Sequence, residues 1–257
     1  MIQVNTEILF ELLIKILKPE LVCDIGSLDA TQALRFRHIL PDTPIIAFEA
    51  NPLNFRLIQK DENVMKASVE IQHKAVYNRD GVMPFYIENL STKNGGREES
   101  WRKGISSTRK RVLDSLGFTA VNVESVRLDT FLQNLDYSPK NVALWTDVEG
   151  ATFEVLESIE HVKDRVQVIY AEVENQEMWI GQKLESNVED LLEQLGFIIL
   201  AREAFTDFQQ NLVIVNEQLF TKSPFKFKTI IFFANVHTYL RQLRAWISQR
   251  SSRISKG

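Results

Sequence analysis

Leu21-Val22-Cys23-Asp24-Ile25-Gly26-Ser27-Leu28-Asp29-Ala30-Thr31 decides how the rest of the chain is read. A short apolar run ends in an acid, a glycine turn follows, and a helical pattern begins at once. That is the strand–turn–helix with which a nucleotide-binding α/β domain opens. Without a Cβ, Gly26 lets the backbone turn sharply and approach a ligand. Asp24, at the carboxyl end of the strand, faces the crevice where such sheets bind ligands. Leu28 and Ala30 stand where further glycines are common, so the turn alone does not name the ligand.

The same unit recurs outward from this point. Residues 44–49 read as a second buried strand ending in Glu49, after which Asn51-Pro52 opens a helix with Asn51 as its cap. Residues 69–76 and 82–88 read as strands with a turn over 78–81 between them. Strands follow at 121–127, 141–147 and 166–172, with helices after Asp129, after Glu149-Gly150 and over 184–195. Residues 197–201 and 212–215 look like a closing antiparallel pair. Upstream, apolar residues at helical spacing predict a helix over 6–18, with Thr6 as its cap and Pro19 as its stop. Strands alternating with helices predict a doubly wound, mostly parallel α/β sheet covered on both faces.

Residues 89–109 break the rhythm with a long polar loop that carries Arg97, Arg102, Lys103 and Arg109. Loops of this length inside a compact domain are often lids or binding loops. Ser106 and Ser107, with Arg102 and Lys103, are candidates to bind a polar or anionic substrate. Trp179 could stack on a sugar face or pack in the core.

At 257 residues, with 44% hydrophobic and 25% charged, the chain is long enough to bury a full core as one large domain. The single cysteine, Cys23, rules out an internal disulfide and any Cys-rich metal site, and suits a reducing compartment. No signal peptide or membrane-spanning run is apparent, so a cytoplasmic location is expected. The net charge of −4 hides an asymmetry, because residues 218–257 carry eight Lys or Arg and no acid. The remainder holds 22 basic against 34 acidic residues, or −12, against +8 in the tail. An acidic body argues against a nucleic-acid partner.

The acids fall where a ligand would bind. Asp24, Glu49, Asp147 and Glu172 each end an apolar strand, and in a doubly wound sheet all four converge on one rim. Glu49, one strand after the glycine turn, is spaced to accept hydrogen bonds from ribose hydroxyls. The missing glycines leave little room for a pyrophosphate. That favours a ligand with a ribose, an adenine and a charged amino-acid end over a nicotinamide dinucleotide, and S-adenosylmethionine fits the description.

Several segments carry a family resemblance: Asp24-Ile25-Gly26, Phe48-Glu49-Ala50-Asn51-Pro52, Ala75-Val76, Gly104-Ile105-Ser106-Ser107, Val126-Arg127-Leu128-Asp129-Thr130 and Asp147-Val148-Glu149-Gly150-Ala151. In this order, over about residues 20–215, the chain resembles FkbM-type methyltransferases. The resemblance implies a class I, Rossmann-like fold with a seven-stranded sheet, S-adenosyl-L-methionine as cofactor, and methyl transfer to a hydroxyl of a sugar, glycolipid or secondary metabolite. It puts Asp24, Gly26 and Ser27 near the methionine end, and Glu49, Ala50 and Asn51 at the ribose. Ala75 and Val76 would lie near the adenine, and Asp147, Glu149 and Gly150 on the reacting side. The family's turn normally reads Asp-Ile-Gly-Ala-Asn-x-Gly, so Leu28 and Ala30 replace its Asn and last Gly. That departure leaves open a non-catalytic adenosyl-binding protein or scaffold that kept the fold.

Methyl transfer to oxygen needs a proton acceptor, and Asp147, Glu149, Glu172 and His73 are the candidates. A divalent cation on Asp147 and Glu172 has no third ligand in the pattern, so no metal is expected. Thr152 is expected on a helix surface.

The chain divides into an N-terminal helix packed on the body (1–19), a methyltransferase domain (20–217) and a basic amphipathic tail (218–257). In the tail Phe232, Phe233, Val236, Tyr239, Leu240, Leu243, Trp246 and Ile247 share one helical arc, with Asn235, Thr238, Arg241 and Gln242 opposite. Such an arc can pack on its own domain, on a second copy as a homodimer, or on an anionic membrane surface. Residues 251–257 are expected to be disordered.

Overall fold

The computed structural model describes residues 4–89, 104–113 and 117–254. The chain opens with α1 (Thr6–Leu17), β1 (Leu21–Ile25), α2 (Thr31–Ile39), β2 (Ile45–Phe48), α3 (Pro52–Ile58), α4 (Glu62–Lys66) and β3 (Glu70–Gln72). A group of strands follows: β4 (Ala75–Val76), β5 (Gly81–Glu88), β6 (Ser106–Ser107) and β7 (Phe118–Val126). The alternation then resumes with α5 (Leu128–Gln133), β8 (Val142–Thr146), α6 (Thr152–Glu157), β9 (Val166–Glu174) and α7 (Glu185–Leu195). The antiparallel pair β10 (Phe197–Ala204) and β11 (Gln209–Asn216) leads to α8 (Glu217–Lys222) and α9 (Pro224–Ile254).

The main sheet has seven strands in the order β10-β11-β9-β8-β1-β2-β3. β1 pairs in parallel with β2 on one side and β8 on the other, and β3 and β9 extend the sheet in the same sense. β11 is antiparallel to both β9 and β10, so it alone runs against the rest. The strand order reverses between β1 and β8, and the carboxyl ends of those strands at such a switch point frame the binding crevice. Gly26 follows one of them and Asp147 the other.

Alternate residues of the strands feed two cores. Val22, Ala143, Trp145, Val168 and Tyr170 pack under α1, α2 and α9, while Cys23, Ile25, Leu144, Ile169 and Ala171 pack under α5, α6 and α7. Trp145 and Tyr170 are register partners on β8 and β9, and their rings stack at 3.6 Å. Phe10 of α1 and Phe36 of α2 close over Trp145 at 5.4 and 5.6 Å between ring centroids. Aromatic pairs of this kind add stability beyond the area they bury.

Three local expectations are corrected. Asn5 rather than Thr6 caps α1, its side chain accepting from the Ile8 amide at 2.9 Å. Thr6 is instead buried, and its amide and hydroxyl both donate to Glu203. The strand expected over 69–76 breaks at His73-Lys74, because β3 ends the main sheet while β4 pairs with β7 in a separate four-stranded sheet, β4-β7-β5-β6. The helix α9 runs on to Ile254, past the point where disorder was expected. Among the described residues no helix is long and apolar enough to cross a membrane.

Candidate active site

The turn after β1 is held by backbone. The amides of Gly26 and Ser27 both donate to the Phe48 carbonyl at 3.0 Å, and the Asp147 amide donates to the Ile25 carbonyl at 2.9 Å. Gly26 has φ +86°, and a Cβ placed there would lie 2.0 Å from the Asp147 carbonyl oxygen. No other residue type fits between these two strand ends. Leu28 and Ala30 also sit in the left-handed region, at φ 54° and 63°. That is the conformation a Gly or Asn adopts at least cost. The turn keeps its shape with side chains that strain it.

A cavity of about 720 Å³ opens on this rim. Gly26, Glu49, Ala50, Ala75, Val76, Ser106, Ser107, Asp147, Glu149 and Glu172 line it, so ten of the sequence-predicted residues meet in one place. Asp24 and Ser27 are both buried at this turn, with the Ser27 hydroxyl donating to Asp24 at 2.7 Å. Asn51 stands beside the cavity as the cap of α3, accepting from the Leu53 amide at 2.9 Å.

Glu49 is 5% exposed, and each of its oxygens accepts one backbone bond. The Asn51 amide donates to one at 2.6 Å and the Leu28 amide to the other at 2.7 Å. A carboxylate offers about four acceptor sites, so Glu49 keeps capacity for a ligand hydroxyl while it braces the turn. Burial outweighs these bonds and pushes its carboxyl up to about 7. Burial likewise lifts Asp24 to about 7.

Acids crowd the opposite wall. Oxygens of Glu149, Glu172 and Glu174 lie within 4.8 Å of one another, close enough to share protons or to hold a hard cation. Burial, followed by the charges of Asp147 and Glu174, raises Glu149 to about 8. Burial and its three acidic neighbours push Glu172 well above the carboxylate range. Asp147 opens to the cavity rather than being sealed in packing, yet the surrounding walls raise it as well. Carboxyls shifted by burial and like charge in a cleft mark a functional site.

Fixed bonds hold this wall. The Gly150 amide donates to Glu174 at 3.2 Å, and the Trp179 indole donates to Glu149 at 3.3 Å. Trp179 is buried against Gly150, which settles its place as a core residue rather than a sugar platform. The Ser107 hydroxyl donates to the Glu149 carbonyl at 2.6 Å, and the Ser106 hydroxyl accepts from Asn51 at 3.4 Å. Thr152, expected on a helix surface, is buried and donates to the Glu172 carbonyl at 2.6 Å.

His73 is not brought into the cavity. Its ring stacks on Phe55 at 4.4 Å, at the break between β3 and β4. Arg102 and Lys103 lie outside the described residues, while Arg109 forms an ion pair with Glu154. The structure adds lining residues that the sequence pattern did not single out: Phe85, Met178, Phe205, Phe208, Gln209 and Arg111. Glu174 was also missed, although it stands two residues from Glu172 on one strand and so shares its face. That period was the available signal.

The cavity fits a cationic adenosyl ligand. Five carboxyls, from Glu49, Asp147, Glu149, Glu172 and Glu174, lie in or behind its walls. Of its lining cations, Lys74 is paired with Glu124 and Arg111 lies over the Trp179 ring at 5.3 Å. A sulfonium with an ammonium group suits such walls, because a cation favours the ionised form of carboxyls that burial and like charge have raised, whereas the two phosphates of a dinucleotide would oppose it.

Residues 24–199 match the model of the methyltransferase FkbM domain. The chain belongs to the FkbM methyltransferase family, and it is an S-adenosylmethionine-dependent methyltransferase. A curated relative is the 2-O-methyltransferase NoeI of Sinorhizobium fredii (strain NBRC 101917 / NGR234), 24% identical over 186 residues that cover 70% of this chain and 74% of that protein. Among solved structures, the magnesium protoporphyrin IX methyltransferase of Synechocystis PCC 6803 with bound S-adenosylmethionine has a TM-score of 0.42 at 11% identity, over 76% of this chain and 69% of that one. The N-terminal domain of EvdMO1 with S-adenosylhomocysteine bound has a TM-score of 0.41 at 13% identity, over 83% and 82% of the two chains. Neither structural likeness bears on residue roles.

Proposed function

We propose that this enzyme, with the strand order of a class I methyltransferase, methylates a hydroxyl oxygen of a sugar, glycolipid or secondary metabolite. The observation that carries the reading is the group of raised carboxyls, Asp147, Glu149 and Glu172, on the wall beside the glycine turn. When bound, S-adenosylmethionine supplies an electrophilic methyl group on a cationic sulfur. Glu49 would hold the ribose hydroxyls, the turn at Gly26 and Ser27 would face the amino-acid end, and Ala75 and Val76 would flank the adenine. Asp147 and Glu149 would orient the acceptor hydroxyl and take its proton as the new bond forms. A base with a pKa near the working pH is suited to that transfer, and Glu149 at about 8 meets the condition.

Phe205, Phe208 and Met178 offer apolar surface beside the polar Gln209 and Ser106, a mixture that suits the two kinds of face on a sugar. The relative named as a 2-O-methyltransferase supports oxygen as the acceptor atom. The test is incubation with methyl-labelled S-adenosylmethionine and a panel of sugars, glycosides and glycolipids. Label retained through mild base marks a methyl ether and supports the reading. Label released by base marks a carboxyl ester and would refute it.

A further inference from the structure

The long C-terminal helix has two apolar faces, and among the described residues only one is covered. Phe227, Ile230, Ala234 and Thr238 are buried, on the side of α9 that packs on α1. The Asn5 amide donates to the Thr238 hydroxyl at 3.2 Å, which pins that side to the body. At 3.6 residues per turn, Phe225, Phe232, Val236, Tyr239 and Leu243 fall on the opposite side, with Phe233 and Leu240 beside them. Three of these aromatics stand well out from the surface: Phe225 is 82% exposed, Phe232 62% and Phe233 57%. The arc that the hydrophobic pattern picked out is therefore not the arc that holds α9 to its domain. Thr238, assigned to the polar side, is the buried one. A soluble surface has no reason to keep such a row of large apolar groups, and contiguous patches of this kind mark interaction sites.

Charge selects the occupant. Lys226 and Lys228, both exposed, flank the apolar row on either side. Residues 218–257 contain eight basic residues and no acid. A second copy laid against this face would set like charges side by side with no carboxylate on the segment to answer them. An anionic lipid surface offers hydrocarbon to the phenylalanines and headgroup charge to the lysines at once. We propose that the outward face of α9 docks this enzyme on an anionic membrane surface. The helix lies in the interface and does not span it, since at 31 residues it is long enough but not apolar enough to cross.

The inference is independent of which hydroxyl is methylated, and its test needs no turnover. The full chain is sedimented with vesicles of phosphatidylcholine alone and of phosphatidylcholine with phosphatidylserine, while its mass in solution is measured by light scattering. A monomer that binds the anionic vesicles at least tenfold more tightly than the neutral ones, and is weakened by salt, is the expected result. The double variant Phe232→Ser/Phe233→Ser should lose vesicle binding with an unchanged melting temperature, because both rings are exposed. The pair Lys226→Gln/Lys228→Gln should weaken binding roughly thirtyfold, from ~1 kcal/mol for each cation near the surface. Absence of binding, or equal binding to neutral vesicles, would overturn the proposal. So would a dimer in solution that the double phenylalanine variant converts to monomer.

Discussion

Replacing Gly26 with alanine isolates the contact on which the site's geometry depends. Two costs add at this position. A left-handed backbone at φ +86° is disfavoured for an L residue by about 1–2 kcal/mol. The added methyl would also lie 2.0 Å from the Asp147 carbonyl oxygen and 3.1 Å from Val148. The nearest atom is backbone, so it cannot swing aside, and overpacking of this kind costs about 1–3 kcal/mol. The matched control is Gly196→Ala, at φ +80° with nothing within 4 Å of the new methyl. Both variants lose some unfolded-chain entropy, about 0.4–1 kcal/mol, which offsets part of the backbone strain in each. The difference between them is then the clash alone. At 2–4 °C per kcal/mol for a chain of this size, Gly26→Ala should melt roughly 2–12 °C below Gly196→Ala in a thermal scan. It should also weaken binding of S-adenosylhomocysteine, because relief of the clash moves Asp147. Equal melting temperatures with unchanged affinity would refute the reasoning.

Further outcomes follow from the same geometry. Glu49→Ala should weaken cofactor binding by about 1–3 kcal/mol, read by titration calorimetry, and unchanged affinity would remove Glu49 from the site. Asp147→Asn should leave the melting temperature in place, since its anchoring bond to Ile25 is made by the backbone amide, and should lower turnover about a hundredfold or more. Asp24 and Glu49 titrate near 7 in the folded chain against about 4 when unfolded, so the folded state holds extra protons between those values. Their contribution to stability is complete below about pH 4 and lost as pH rises through 7. The melting temperature should therefore fall between pH 5 and 8, with a shallower slope in Asp24→Asn; an identical slope would show that Asp24 is not responsible. Treatment with a chelator should leave turnover unchanged, whereas a loss restored by magnesium would make the carboxylate wall a cation site.

The sheet was legible because its units are local. Each strand announces itself by an apolar run ended by an acid or a turn, and the alternation of these strands with helices is what points to a doubly wound, mostly parallel sheet. The convergence of Glu49, Asp147 and Glu172 on one rim was legible for the same reason. What stayed hidden is non-local. Whether residues 69–76 form one strand or two depends on which sheet offers a free edge, and β7 supplies one to Ala75 and Val76 from fifty residues away. Ser107 reads from the sequence as a candidate to bind a polar substrate, and nothing local shows that it ties the Glu149 carbonyl across forty-two residues of chain. His73 lay near the right segment, but a histidine's role is set by what its ring meets, and here that is Phe55. In α9 the period found an apolar arc without saying which way it faces, because two opposite arcs can both be apolar.

The central claim is that the carboxylate-lined cavity at the β1–β8 rim holds an adenosyl cofactor despite Leu28 and Ala30. Calorimetric titration of the purified chain with S-adenosylmethionine and S-adenosylhomocysteine, with NAD as control, tests it most directly. Saturable one-to-one binding of both adenosyl ligands, lost in Glu49→Ala and absent for NAD, is the predicted result. Binding of NAD in their place, or no binding of either adenosyl ligand to a folded protein, would contradict it.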